Sequence, residues 1–196
     1  MLHCPGRPTT PRKPVDLLPC AALLLCCTAL GTTHAAEPQA PSLYVEAGHS
    51  LRSGAGTRMR TLGLRLPLQH TFWQGRVSTH LDMYLSDWAS TATPPAGGHT
   101  TQVGVVPMFR YRFNEGRSRW FVEGGIGLSY LNGTYYTASS SFSSRWNFSD
   151  HVGIGRNFGA RHQHEISLHA KHVSNAGLRK PNPGATFLQL RYGYRF

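Results

Sequence analysis

Apolar and polar residues alternate along most of the chain from residue 42 to the C terminus, in segments separated by turn-forming residues. The clearest alternation lies in 76–88, where one parity is apolar and the other polar: Val77, Leu81, Met83 and Leu85 against Ser78, His80, Asp82 and Ser86. Because successive side chains of a β-strand point to opposite faces, this pattern predicts strands with one apolar and one polar face. We predict eight strands, at 42–50, 57–68, 76–88, 101–113, 119–131, 142–158, 162–174 and 185–196.

Eight such strands suit a closed barrel, and two kinds of barrel fit the pattern. A soluble lipocalin-like barrel would turn the apolar face inward, whereas a membrane barrel would turn it toward lipid. Aromatic residues near the strand ends, with Glu, His and Arg on the polar face, favour the membrane form. The predicted fold is therefore an all-β, eight-stranded antiparallel transmembrane up-and-down β-barrel, too narrow for a pore.

One irregularity is expected in the fourth strand. Pro107 cannot donate a hydrogen bond to a neighbouring strand, so we predict a bulge near it. The Ser/Thr/Pro/Gly-rich stretch 89–100 and the polar stretch 132–141 are predicted to be exposed loops.

The first 35 residues have the features of a secretory signal peptide. The apolar run 17–30 follows three basic residues: Arg7, Arg12 and Lys13. A lipoprotein signal at Cys26 is the alternative, although Leu25 is bulky where a small residue is needed. All four cysteines lie in this segment, so we expect a barrel domain at 36–196 with neither disulfides nor thiolate ligands.

The charge balance points to a polyanionic partner. The whole chain carries a net charge of +11, which falls to +9 once the three basic residues and one acid of 1–35 are removed. An exported basic chain meets the phosphate-bearing outer leaflet of a Gram-negative outer membrane rather than nucleic acid. We therefore expect outer-membrane lipids and lipopolysaccharide as partners and no nucleic acid, with a homodimer left open.

His172 and Ser174 end the seventh predicted strand and share its outward parity with Leu168. A polar pair on a lipid-facing wall carries a desolvation cost, so its presence there indicates a functional site. A Ser–His pair is the core of acyl transfer, because the imidazole accepts the hydroxyl proton as the oxygen attacks an ester carbonyl. Asn175 can supply an amide donor to the tetrahedral oxyanion, and Gly177 lets the backbone turn closely around it.

These residues resemble the PagL-type lipid A 3-O-deacylases. The likeness rests on the run His-Val-Ser-Asn-Ala-Gly at 172–177, the run Pro-Asn-x-Gly at 181–184 and an aromatic-ended final strand. Weaker likeness occurs at 106–110, 121–127 and 148–153, so it extends over most of the chain after the signal segment. The resemblance implies an outer-membrane esterase that removes the 3-hydroxyacyl chain at position 3 of lipid A, with no metal or cofactor.

The resemblance also implies roles for individual residues. Ser174 would be the nucleophile, His172 the base and Asn175 part of the oxyanion hole. Three further residues would shape the site: Ala176, Gly177 and Asn182.

The third member of the triad is a departure from the family. The family has an acid on its last strand where this chain has Thr186, whose hydroxyl stabilises an imidazolium less than a carboxylate does. Asp150 is the alternative, since pairing across a turn near Ala160 would bring it opposite Ala170 or His172. A bulge that turns Asp150 into the lumen remains the competing interpretation.

Two groups of basic residues complete the analysis. Arg179 and Lys180 lie beside the site, where they either hold substrate phosphates or form an ordinary solvated loop. On the polar face, arginines are expected to fill the lumen by pairing with acids: Arg110, Arg112, Arg191 and Arg195 with Glu46, Asp82 and Glu123. No histidine has metal-ligand spacing with carboxylates, so no metal site is predicted.

Two other functions stay open at this point. A small non-catalytic structural or interaction barrel of the OmpX or OmpA type is favoured by the missing acid at position 186. An outer-membrane acyltransferase or phospholipase would use similar groups on a different acyl chain.

Overall fold

A computed structural model describes residues 40–51, 56–90, 98–137 and 140–196; the predicted signal segment lies outside them. The described chain forms a closed antiparallel barrel in which each strand pairs with its sequence neighbours and β8 pairs with β1. The strands are β1 (Ser42–Ser50), β2 (Arg58–Phe72), β3 (Val77–Ser90), β4 (Gly98–Arg112), β5 (Trp120–Leu131), β6 (Trp146–Phe158), β7 (His164–Ser174) and β8 (Ala185–Arg195). The predicted eight-stranded fold is confirmed.

The two faces of the wall are opposite in character. Large apolar side chains on the outer face are about half exposed, among them Val45, Leu62, Ile126, Val152 and Leu190. The inner face encloses buried polar groups. This is the arrangement of a membrane barrel and the reverse of a lipocalin-like one. Within the described residues, no helix is long and apolar enough to cross a membrane.

The predicted bulge near Pro107 is wrong. The register between β4 and β5 is the same on both sides of Pro107. Val106 and Pro107 themselves are not paired with residues of β5. Pro107 points outward, and losing its N–H interrupts the ladder toward β5 without inserting a residue. Among the described strands, the register shift lies instead in β2, between Leu68 and Thr71.

Arginines and carboxylates pair with each other inside the lumen. Arg191 binds Glu46 at 2.7 Å and Asp82 at 2.9 Å. Arg110 lies 2.7 Å from both Glu123 and Glu165. The predicted pairing is thus observed for these two arginines. Among the contacts of the other two arginines, Arg112 donates to the backbone carbonyl of Ser118 and Arg195 donates to that of Arg161.

Aromatic rings lie flat against the inner wall over glycines of the neighbouring strand. The Tyr84 ring covers Gly104. On the other side of this ring, Lys171 Nζ lies 3.6 Å from the ring centroid. The same layering recurs twice: Tyr44 between Gly63 and Arg191, and Phe121 between Gly155 and Arg110. Since Lys171 is fixed inside the barrel, the next residue of β7, His172, must point outward.

The two ends of the barrel differ. Short connections at 73–76, 113–119 and 159–163 lie at the end where β1 starts and β8 finishes, and we call this the short-turn end. The longer connections at 132–145 and 175–184 lie at the other end, called the long-loop end. There an apolar cluster closes the lumen: Met59, Trp88, Leu131, Tyr135, Phe142, Val173, Ala185 and Phe187.

Candidate active site

The candidate site lies on the outer face of β7, at its long-loop end. His172 and Ser174 are half-buried and alternate with the buried residues Lys171 and Val173. Both predicted catalytic side chains therefore lie on the lipid-facing side of the wall. Phe148 of β6 is the residue directly opposite Ser174.

His172 has a candidate partner on each neighbouring strand. Asp150 of β6 and Thr186 of β8 both stand in register with it, and both alternate outward. The register between β6 and β7 is unbroken, so the alternative of a bulge turning Asp150 into the lumen is wrong. The structure thus places two of the predicted outward groups, Asp150 and Thr186, on either side of the imidazole.

Only one of these partners hydrogen-bonds the imidazole in the described structure. His172 Nδ1 lies 2.9 Å from Thr186 Oγ1. With the hydroxyl as acceptor, Nδ1 carries the proton and Nε2 is the basic nitrogen. The partner of Nδ1 is thus a neutral hydroxyl, where the resemblance implies a carboxylate. No hydrogen bond joins Asp150 to the ring within the described residues.

Gly184 borders the space shared by the imidazole and the serine. A Cβ atom built on Gly184 would lie 2.9 Å from His172 Cε1, 3.3 Å from Nε2 and 3.8 Å from Ser174 Cβ. The basic nitrogen and the serine side chain therefore border one small gap that a glycine leaves open. This gap is where an ester group could reach both.

Replacing Gly184 with alanine is expected to lower kcat/KM by about a hundredfold, because a 2.9 Å contact would displace the imidazole from productive geometry. The measurement is ester hydrolysis by the refolded barrel. Gly75→Ala is the control: Gly75 has φ +83° against +65° for Gly184, but a Cβ there meets nothing within 4 Å. Equal losses in the two variants would point to backbone strain instead of site geometry.

The Asn175 side chain organises the loop at 175–184. Its Nδ2 donates to Arg179 O at 3.0 Å and to Ser143 Oγ at 3.2 Å, while Oδ1 accepts from Gly177 N at 3.0 Å. Both amide hydrogens are thus engaged away from Ser174. The donor found near Ser174 Oγ is the Ala176 backbone N–H, at 3.5 Å.

The remaining predicted site residues occupy the same loop. Asn182 Oδ1 accepts from Asn175 N at 3.1 Å, which ties the two ends of the loop together. Ala176 and Gly177 adopt successive positive φ values of 53° and 77°, which produce the sharp turn after Ser174. Arg179 and Lys180 are exposed on the loop. Within the described residues, no group of three or more His, Cys, Asp and Glu could hold a metal ion.

Sequence reasoning missed Ser143. Besides accepting from Asn175 through Oγ, it donates its backbone N–H to Pro181 O at 3.3 Å. Ser143 follows Phe142, whose ring packs at 88° to Tyr135 inside the apolar cluster. The loop that closes the barrel mouth therefore also supports the loop that carries the site.

Comparisons with known proteins show which family the chain is similar to. Residues 56–195 match the family described as lipid A 3-O-deacylase (PagL). The lipid A deacylase PagL of Bordetella bronchiseptica is 35% identical over 159 residues, covering 77% of this chain and 84% of the relative. That of Pseudomonas aeruginosa is 32% identical over 179 residues, covering 90% and 96%.

A solved structure extends the likeness to the fold. The crystal structure described as that of the outer membrane enzyme PagL superposes with a TM-score of 0.67 at 25% sequence identity. The match covers 79% of this chain and 99% of the solved one. The chain therefore belongs to the PagL family of lipid A 3-O-deacylases.

Proposed function

We propose that this chain is an outer-membrane esterase that releases the 3-O-linked hydroxyacyl chain of lipid A. The observation that carries the proposal is the outward position of His172 and Ser174 at the long-loop end of a lipid-facing wall. In small outer-membrane barrels the longer loops face the cell exterior. The site then lies in the outer leaflet, where lipid A resides.

The reaction follows from the two outward groups. Nε2 of His172 takes the proton of the Ser174 hydroxyl as Oγ attacks the ester carbonyl carbon. The tetrahedral intermediate collapses by breaking the bond to the sugar oxygen, which receives the proton from Nε2. Water then repeats the sequence on the acyl-serine, which frees the hydroxy fatty acid and restores the serine.

The oxyanion is held by the backbone more directly than by the Asn175 side chain. The Ala176 N–H lies 3.5 Å from Ser174 Oγ, so an ester carbonyl oxygen that lies beside Oγ can accept from this N–H as the tetrahedral intermediate forms. The Asn175 side chain acts by fixing the loop that aims this donor. Gly177 and Asn182 serve the same loop geometry.

Thr186 of β8 orients His172, and Asp150 of β6 supplies negative charge from the other neighbouring strand. The hydroxyl selects the tautomer and holds the ring, but it adds no charge to stabilise the imidazolium. The Asp150 carboxyl stands in register with His172 on the same face, where it can stabilise the positive charge that develops on the ring in the transition state.

Thr186→Glu is expected to raise kcat by about tenfold, because a carboxylate at Nδ1 stabilises the imidazolium that forms during reaction. Thr186→Val should lower kcat by about a hundredfold through loss of ring orientation, and Asp150→Asn by a smaller factor of about five. Steady-state hydrolysis across pH values is the measurement. Thr101→Glu, which adds the same charge to an outward position of β4, is the control. A rise in both glutamate variants would show a general charge effect.

Arg179 and Lys180 are proposed to contact a phosphate of the substrate. Both are exposed on the loop that begins at the nucleophile, and a guanidinium or ammonium forms strong charge-assisted hydrogen bonds with phosphate oxygens. No metal or cofactor takes part in the proposed reaction.

The test is product analysis. The refolded barrel is incubated with purified lipopolysaccharide in detergent, and lipid A is analysed by mass spectrometry before and after. Loss of one hydroxyacyl group from position 3, with the free hydroxy acid in solution, is the expected result. Unchanged lipid A from a verified folded barrel would support a structural barrel, and transfer or release of another chain would support an acyltransferase or phospholipase.

A further inference from the structure

A cavity enters the lumen from the short-turn end of the barrel. It has a volume of about 770 Å³, and each of the three short connections contributes to its lining, through Gln74, Glu115 and His162. Its other end reaches Arg65 and Glu165, inside the closed wall of strands. Glu115 is exposed, so the cavity opens to solvent at the turns. In small outer-membrane barrels the short turns face the periplasm, so a periplasmic solute can enter.

The lining of this cavity is strongly positive. Among the described residues that line it, two glutamates stand against six arginines: Arg65, Arg76, Arg110, Arg112, Arg117 and Arg195. Both glutamates already bind arginines. Glu115 binds Arg117 at 2.6 Å. Glu165 binds Arg65 at 2.9 Å and Arg110 at 2.7 Å. Because walls of low dielectric focus the field of such a surplus, the cavity favours an anionic ligand.

Two of these arginines lie directly opposite each other near the rim. Arg112 N donates to Arg76 O at 2.9 Å, which continues the register that pairs Tyr111 with Val77. Both side chains line the cavity, and within the described residues the Arg76 guanidinium has no hydrogen-bond or ion-pair partner. Like charges in directly opposite positions destabilise an antiparallel pair. One oxyanion between the two guanidinium groups would remove this repulsion and accept from both.

Three buried polar atoms at the inner end of the cavity have no hydrogen-bond partner among the described residues: Arg65 Nε, His80 Nε2 and Asn157 Oδ1. The three residues line the cavity and are only 9%, 4% and 8% exposed. His80 Nε2 lies 3.7 Å from Glu123 Oε2, which is beyond hydrogen-bond distance. Buried polar groups in folded proteins nearly always have a partner. Two donors and one acceptor at this place suit the hydroxyl groups of a ligand, since a hydroxyl both accepts and donates.

We propose that this cavity binds a small soluble phosphate monoester with a hydroxylated body, of the sugar phosphate class, from the periplasmic side. The phosphate lies between Arg76 and Arg112, and the hydroxyl groups of the body meet the unsatisfied atoms at the inner end. The volume of about 770 Å³ is in the range of small-molecule sites. A lipid headgroup carries the same phosphate chemistry, but the closed wall separates the lumen from acyl chains. The site goes beyond the proposed esterase and lies at the opposite end of the barrel.

Calorimetric titration of the refolded barrel in detergent tests the site, with glucose 6-phosphate and glucose as a matched pair of probes. We expect glucose 6-phosphate to bind at least about tenfold more tightly, and Arg76→Gln or Arg112→Gln to reduce this preference to about threefold or less, since a charge-assisted contact is lost. Arg156→Gln removes the same charge from the outer face of β6 near the same end and should keep the full preference. An equal affinity for the two probes, or an equal loss in all three variants, overturns the proposal.

A bulky residue tests whether the ligand lies inside the cavity. Ser78 is half-buried on β3 and lines the cavity between Arg76 and His80. Ser78→Tyr fills part of this space without changing the charge, so it should weaken binding of glucose 6-phosphate by about tenfold or more. Unchanged affinity in this variant would place the ligand outside the lumen and overturn the proposal. If the variant does not refold, the two arginine variants still decide the question.

Competition separates the proposed ligand from other sources of the same charge. Short-chain phosphatidic acid carries a phosphate monoester on a lipid, and displacement of glucose 6-phosphate by it at equal concentration would overturn the soluble ligand in favour of a headgroup. Equally tight binding of sulfate would overturn it in favour of a general anion surface. Saturating glucose 6-phosphate should leave ester hydrolysis unchanged within twofold. Inhibition would mean that the probe binds beside Ser174, at Arg179 and Lys180, and would also overturn the proposal.

Discussion

Replacement of Ser174 with alanine is expected to lower the release of the hydroxyacyl chain by at least about 10³-fold in kcat, since it removes the hydroxyl that forms the acyl intermediate. His172→Ala should cause a similar loss, and the double variant should be no worse than either single one. Residues that act as one unit in catalysis show this lack of additivity. Mass spectrometry of lipid A and release of hydroxy fatty acid measure the effect.

The Ser174→Ala variant should fold normally. Ser174 is half-buried at the end of β7, and its described hydrogen bond is the 3.5 Å contact with Ala176 N. Ser78→Ala, at a serine near the short-turn end of β3, is the matched control and should keep full activity. Activity of Ser174→Ala within threefold of the wild type would exclude Ser174 as the nucleophile.

The fold was largely predictable because strand periodicity assigns faces without tertiary information. A strand has a period of two, so the apolar stripe 166, 168 and 170 was enough to place His172 and Ser174 outside. The end of β2 was not predictable, because the shift between Leu68 and Thr71 hides the continuation of the strand to Phe72. The error at Pro107 arose because an outward proline removes a donor without changing register.

The site was predictable where it depends on one strand and its neighbours in register. Asp150 and Thr186 lie beside His172 because hairpin pairing follows from the lengths of the connections. The partners of Asn175 were not predictable. Ser143 is 32 residues away on a separate loop, and no periodic pattern indicates a contact between two loops. The hydrogen bonds by which the Asn175 side chain holds its own loop therefore have no signal in the sequence.

Glu165→Gln is expected to lower the free energy of unfolding by about 3–5 kcal/mol, because it leaves buried guanidinium groups without enough negative charge. Glu165 is 3% exposed. Its two oxygens accept from Arg65 at 2.9 Å and 2.9 Å and from Arg110 at 2.7 Å and 3.2 Å. After the substitution these arginines share Glu123 alone, since glutamine keeps the shape of the side chain and loses its charge.

Urea unfolding of the barrel in lipid vesicles measures the effect, with Glu115→Gln as control. Glu115 also binds an arginine, at 2.6 Å to Arg117, but both side chains are more than 60% exposed, so its loss should cost less than about 1 kcal/mol. Glu165 lies seven residues from His172 on β7, or about 23 Å along the strand, so the folded fraction should retain its esterase activity. Equal stability losses in the two variants would mean that water reaches the lumen around Glu165 and screens the charges there.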